Sequence, residues 1–102
     1  KVFIHDAVYE YIAKLVLKTR ETELIALGVS PRGTLALAGM SKATAFLAGR
    51  NYVIPDDVKE IFRDVCAHRI ILQPKARVNH MTINDVIDDI LGQVAAPRLI
   101  AK

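Results

Sequence analysis

The stretch Gly28-Val29-Ser30-Pro31-Arg32-Gly33-Thr34-Leu35 sets a guanidinium at the head of the most apolar helical pattern in the chain. Ser30 has the side chain of an N-cap, and Pro31 suits the first helical position, where its missing N–H loses nothing and its fixed φ matches the turn. Arg32 then takes the second helical position. A cation there opposes the positive end of the helix dipole, an effect of ~0.3–1 kcal/mol at a partly exposed site. A bound anion reverses the sign, because free backbone N–H groups, the dipole and a planar guanidinium together make a phosphate site. The competing structural reading is an exposed arginine satisfied by a nearby carboxylate.

Other chemistries find little support. No Gly-x-x-x-x-Gly-Lys-Ser/Thr loop occurs, so the chain lacks the backbone nest and lysine that cradle nucleotide phosphates, and alone it is expected to hydrolyse nothing. His5, His68 and His80 are too far apart for a local metal motif, and Cys66 falls on an apolar stripe rather than beside paired ligands, so no metal is expected. Ser30 has no histidine at a fixed local spacing to activate it. The acidic groups Asp56, Asp57, Glu60 and Asp64, and again Asp85, Asp88 and Asp89, mostly fall in the first two turns of helical patterns, where they complement the dipole and are expected to face solvent.

Gly28-x-Ser30-Pro31-Arg32 ahead of a Leu/Ala-rich helix, then Gly49-Arg50-x-Tyr52-Val53-x-Pro55-x-Asp57-Val58, then His68-Arg69-Ile70, resembles the C-terminal lid of MoxR-type AAA+ ATPases. Tyr11-Ile12 through Thr19-Arg20 is similar to the first lid helix and Thr82 to Val94 to the last, so the likeness covers nearly the whole chain. The resemblance implies that Arg32 is the sensor-two arginine, reaching from the lid to the phosphates of ATP with Mg, with Ser30 and Pro31 completing the cofactor-binding turn. It also implies partners: the protein's own N-terminal ATPase domain, which binds most of the nucleotide, neighbouring subunits of a ring, and a client protein remodelled in a chaperone-like way. Arg20, Arg50 and Arg69 each close a helix, where a cation is favourable; the resemblance leaves open whether they meet nucleotide, a neighbour or only this domain. The chain departs from the family pattern at Ile54, where threonine is usual, and at Gly33, where alanine commonly follows the arginine.

Positioning these residues requires four helices. Val8, Tyr11, Ile12, Leu15 and Val16 recur at spacings of three and four between Asp6 and Arg20, with Glu10, Lys14 and Lys18 opposite: an amphipathic first helix. Thr19 to Ala26 reads as a connector. A second helix from Ser30 to about Ala48 is closed by Gly49 and is apolar nearly all round, so it belongs in the centre, with Leu35, Ala36, Met40, Ala43, Phe46 and Leu47 on one side expected to be buried. Pro55 starts a third helix whose stripe is Val58, Ile61, Phe62, Val65 and Cys66. Thr82 caps a fourth, in a box with Asp85, whose stripe is Ile83, Val86, Ile87, Ile90, Leu91 and Val94. The short extended pieces Val53-Ile54 and Met81-Thr82 can pair as a two-stranded ribbon, and Gln73 to His80 reads as the longest loop.

The fold class is therefore all-α, a four-helix lid bundle with at most a very short ribbon, occupying residues 1–102 as one domain. Lys1 in place of an initiator methionine suggests a piece excised from a longer ATPase. With 52% apolar residues in so small a domain, some apolar surface is expected to face a partner. The net charge of +3 comes from scattered basic residues and implies neither nucleic acid nor membrane. A single cysteine and no charged-then-apolar leader point to the cytoplasm. The alternative is a histone-fold-like dimerisation or DNA-binding module, suggested by a long central helix, the Gly49-Arg50-x-Tyr52 connector and a shorter third helix; the acidic outer faces argue against DNA.

Overall fold

The computed structural model describes residues 2–22, 25–27, 30, 32–69 and 71–97. Helices dominate: α1 (Asp6–Glu21), α2 (Gly33–Leu47), α3 (Pro55–Arg69), α4 (Pro74–Val78) and α5 (Ile83–Gln93), with short strands β1 (Ile25–Leu27) and β2 (Ile71–Leu72). The all-α bundle expected from the sequence is what forms. α2 packs on α3 and α1, while α5 covers α3 and α1 from another side.

Local chemistry explains the helix limits. His5 is extended and its Nδ1 accepts the Ala7 N–H at 3.0 Å, while Asp6 in the first turn and Lys18 and Arg20 in the last complement the α1 dipole. α5 starts on the anticipated capping box: Thr82 Oγ1 accepts the Asp85 N–H at 3.1 Å, and Asp85 Oδ2 accepts the Thr82 N–H at 2.9 Å. The amphipathic faces of α1, α3 and α5 meet in one core, where Tyr11, Ile12, Leu15, Val58, Phe62, Cys66, Ile87 and Ile90 are buried.

Other expectations need correction. The stretch 73–80 is not a plain loop: Pro74 opens the short α4, Ala76 is buried, and the Met81 N–H returns to the Ala76 carbonyl at 2.9 Å. Among the described residues the short α4 thus joins the four helices of the expected bundle. The ribbon uses other residues than expected, pairing β1 with β2 in antiparallel fashion through Ile25↔Leu72 and Leu27↔Ile71. The piece before α3 pairs instead with the start of the chain, the Phe3 N–H reaching the Asn51 carbonyl at 2.7 Å and the Val53 N–H the Phe3 carbonyl at 2.9 Å. Lastly, α2 and α3 each have 15 residues, so there is no long central helix with a shorter one after it, the feature on which the histone-fold alternative rests.

The largest correction concerns which way α2 faces. Its buried residues are Gly33, Leu37, Ala38, Ser41 and Ala45. Leu35, Met40, Phe46 and Leu47, expected inside, are 69%, 42%, 68% and 85% exposed, and Ala36 and Ala43 are exposed beside them. Small residues let α2 approach α1 and α3 closely, and that close approach leaves the bulkier face outward.

Candidate functional site at the head of α2

Ser30, Arg32 and Gly33 form a tight turn that leads into α2. The Gly33 N–H donates to the Ser30 carbonyl at 2.8 Å, and Arg32, with φ −64° and ψ −23°, occupies the cap position. The expectation that Ser30 caps the helix is thus corrected. Ser30 contributes its carbonyl to a turn ahead of the helix, the Arg32 side chain makes no capping bond, and the first helical residue is Gly33. Pro31, with Gly28 and Val29, lies outside the described residues.

The electrostatics of this end differ from those of the other long helices. α1, α3 and α5 each carry aspartate in the first turn, whereas α2 carries no acidic residue there. Arg32 is exposed and its side chain has no hydrogen bond or ion pair with any described residue, so the carboxylate partner of the competing reading is not among them. The turn thus presents a guanidinium and the positive end of a helix dipole, which is what an anionic oxygen requires.

The other arginines behave differently. Arg50 is committed to structure: its Nη1 and Nη2 each donate to one Asp57 oxygen at 2.7 Å, and Nη1 also reaches the Tyr52 carbonyl at 3.1 Å. Asp57 is only 4% exposed, which corrects its assignment to a solvated acidic face. Its Oδ2 also accepts the Ile54 N–H at 2.9 Å, supplying half of the capping that Ile54, with no side-chain acceptor, cannot. Arg63 pairs with Asp88 across α3 and α5. Arg20 is exposed at the end of α1, and the Arg69 side chain lies outside the described residues. Among the described residues no cluster of His, Cys, Asp and Glu is arranged to hold a metal, and no helix is long and apolar enough to cross a membrane.

Sequence inspection did not find the Arg50–Asp57 fork. An aspartate in a first turn already has a generic reason to be there, and only Ile54 at the preceding position hinted at a second task. Burial on its own pushes the Asp57 carboxyl up; the Arg50 hydrogen bonds, the Ile54 N–H and the Arg50 charge outweigh it and hold the carboxyl below the usual range. A carboxyl lowered in the folded state stabilises the fold above its unfolded pKa, and that stability is lost as pH falls through the folded value. Melting temperature is therefore expected to drop on acidification below about pH 4. Arg50→Ala leaves only the Ile54 N–H to oppose burial, so the lowering of the carboxyl shrinks or is lost. Its deficit against the parent protein is expected to be widest at neutral pH and to shrink in acid; a deficit independent of pH would show that the fork does not hold the charge.

Comparison with known proteins places this geometry. The family model described as AAA lid domain matches residues 17–90. YeaC of Bacillus subtilis is 38% identical over 90% of this chain, and the chaperone MoxR1 of Mycobacterium tuberculosis is 34% identical over 97%. A crystal structure titled a putative ATPase, from Cytophaga hutchinsonii, superposes with a TM-score of 0.83 at 34% identity over 96% of this chain. The chain spans 29% of the length of each of those two relatives and 32% of the solved structure. It belongs to the AAA lid domain family, as the lid of a MoxR-type AAA+ ATPase.

Proposed function

We propose that this domain senses ATP through Arg32 and converts its binding and hydrolysis into movement that remodels a partner protein. The observation that carries the reading is the head of α2, where an exposed arginine with no described partner adjoins a helix N-terminus without acidic compensation. Arg32 holds phosphate oxygens of ATP bound with Mg by an ATPase domain elsewhere in the polypeptide. ATP supplies the phosphoryl group whose transfer to water drives the movement. Arg32 adds positive charge as negative charge redistributes over the phosphates, and the Ser30 turn fixes where the guanidinium starts. Arg50, its charge paired with Asp57 and its fork also held by the Tyr52 carbonyl, serves the scaffold.

Ring assembly, a chaperone-like role on a client, and a cytoplasmic setting belong to the same proposal; family membership and the relative named chaperone MoxR1 support the first two, and the buried thiol of Cys66 fits a reducing compartment. The full-length protein is expected to hydrolyse ATP while the isolated chain releases no phosphate above a protein-free control. Turnover by the pure isolated chain would overturn this division of labour.

A further inference from the structure

α2 and α4 stop in the same way on different residues. At the end of α2 the Arg50 N–H returns to the Ala45 carbonyl at 2.9 Å and the Gly49 N–H to the Phe46 carbonyl at 3.0 Å, a Schellman stop in which Gly49 turns the backbone at φ 82°. At the end of α4 the Met81 N–H makes the equivalent return to the Ala76 carbonyl at 2.9 Å, and the residue that turns is His80, at φ 58°. Glycine makes this turn without strain, whereas a side chain crowds the carbonyl that follows it. Among the described residues, His80 is the one residue other than glycine with a positive φ. Nothing in the fold offsets that strain. The imidazole is exposed and makes no hydrogen bond, ion pair or ring contact with a described residue. A strained residue whose side chain the fold leaves idle points to a use outside the fold.

The charge of the chain gathers at the same corner. Basic residues are scattered along the sequence, but acidic ones are not: residues 65 to 84 hold Arg69, Lys75 and Arg77 and no aspartate or glutamate. The whole excess of +3 therefore belongs to this stretch, and the remainder of the chain is balanced. At its middle stands α4, which the fully buried Ala76 anchors while Lys75, Val78, Asn79 and His80 are exposed. Val78, at the last position of that short helix, is 75% exposed. We propose that this corner docks an acidic segment of a partner protein that carries aliphatic side chains, with His80 and Val78 as contact residues. Charge complementarity selects the sign of the occupant. Val78 selects a peptide over a nucleic acid, because a phosphate backbone gains nothing from an isopropyl group. Asp85, in the first turn of α5, bounds the basic stretch, so a short acidic segment fits it and a long polyanion meets repulsion. The proposal is independent of the nucleotide reading, since no residue of this corner enters that reading.

The experiment uses the full-length protein and, as probe, a short fluorescein-labelled peptide of glutamate with leucine at every fourth position, followed by fluorescence anisotropy. The peptide is expected to bind, and to bind ~5-fold more weakly when salt is raised from about 50 to about 200 mM. Val78→Ser is expected to weaken the leucine-bearing peptide ~5-fold and to leave an all-glutamate peptide unaffected. His80→Gly is expected to weaken binding ~5-fold while amide exchange over residues 74–82 slows ~3-fold, because the strain leaves with the side chain and outweighs the freedom glycine gains when the corner opens. A histidine kept for the fold gives the reverse, faster exchange with unchanged binding, and that result would overturn its assignment as a contact. Absence of binding at millimolar peptide would overturn the docking surface itself. Tighter binding of a single-stranded oligonucleotide of equal charge would overturn the choice of a protein segment.

Discussion

Arg32→Ala in the full-length protein is expected to lower ATP turnover by about 10²-fold or more, while the isolated domain keeps its stability or gains slightly. Removing one preorganised charge donor from a phosphoryl-transfer site has effects of that order, far beyond those of an ordinary surface substitution. The stability half follows from the position of Arg32 on an uncompensated helix N-terminus, exposed and without an ion pair to any described residue, so its removal takes away a cation from an unfavourable field. Lysine is expected to rescue poorly, since an ammonium cannot reproduce the planar two-pronged contact. Steady-state phosphate release and a denaturant melt check the pair together. Normal turnover with a destabilised domain would make Arg32 a structural residue and leave family membership untouched.

Phe62→Ala is expected to cost ~3–5 kcal/mol and Phe46→Ala to stay within ~0.5 kcal/mol in the isolated domain. Phe62 is fully buried on α3 against the core, so truncation leaves a cavity, whereas Phe46 stands on the open face of α2. Against a total of ~5–15 kcal/mol for a natural domain, the first change threatens folding and the second does not. Denaturant midpoints of the two variants decide the matter. Equal losses would mean that α2 is turned by about half a rotation from the orientation described.

The same contrast shows what the sequence made legible. α1, α3 and α5 alternate charged and apolar faces, so period alone located Val8, Tyr11, Ile12, Phe62, Cys66, Val86, Ile87 and Ile90 in the core, as found. α2 is apolar on every side, and periodicity cannot choose a face when all of them qualify. Size and closeness of approach chose it, burying Ser41 and leaving Leu47 outside, and those are properties of the partners of α2 rather than of its own pattern. The ribbon and α4 were obscured for a related reason: strands of three and two residues and a five-residue helix are stabilised by what they lie against, with too few positions to show a repeat. At the site, Arg32 stood out because it breaks a local rule, a cation at a helix head. Asp57 was overlooked because it obeys one.

The backbone strap at Phe3 has a mechanical meaning. Phe3 is bonded through its N–H and its carbonyl to the segment 51–53, which the Arg50–Asp57 fork fastens to α3. Residues 2–4 therefore turn as part of the solid body, and no joint lies between them and the helices. A pull applied at residues 2–4 is passed straight to the helices. A few degrees of rotation of this body about its Phe3 end would move the α2 head, at the opposite end of a 15-residue helix from Gly49, by ångströms while Phe46, beside Val2, stays almost where it was.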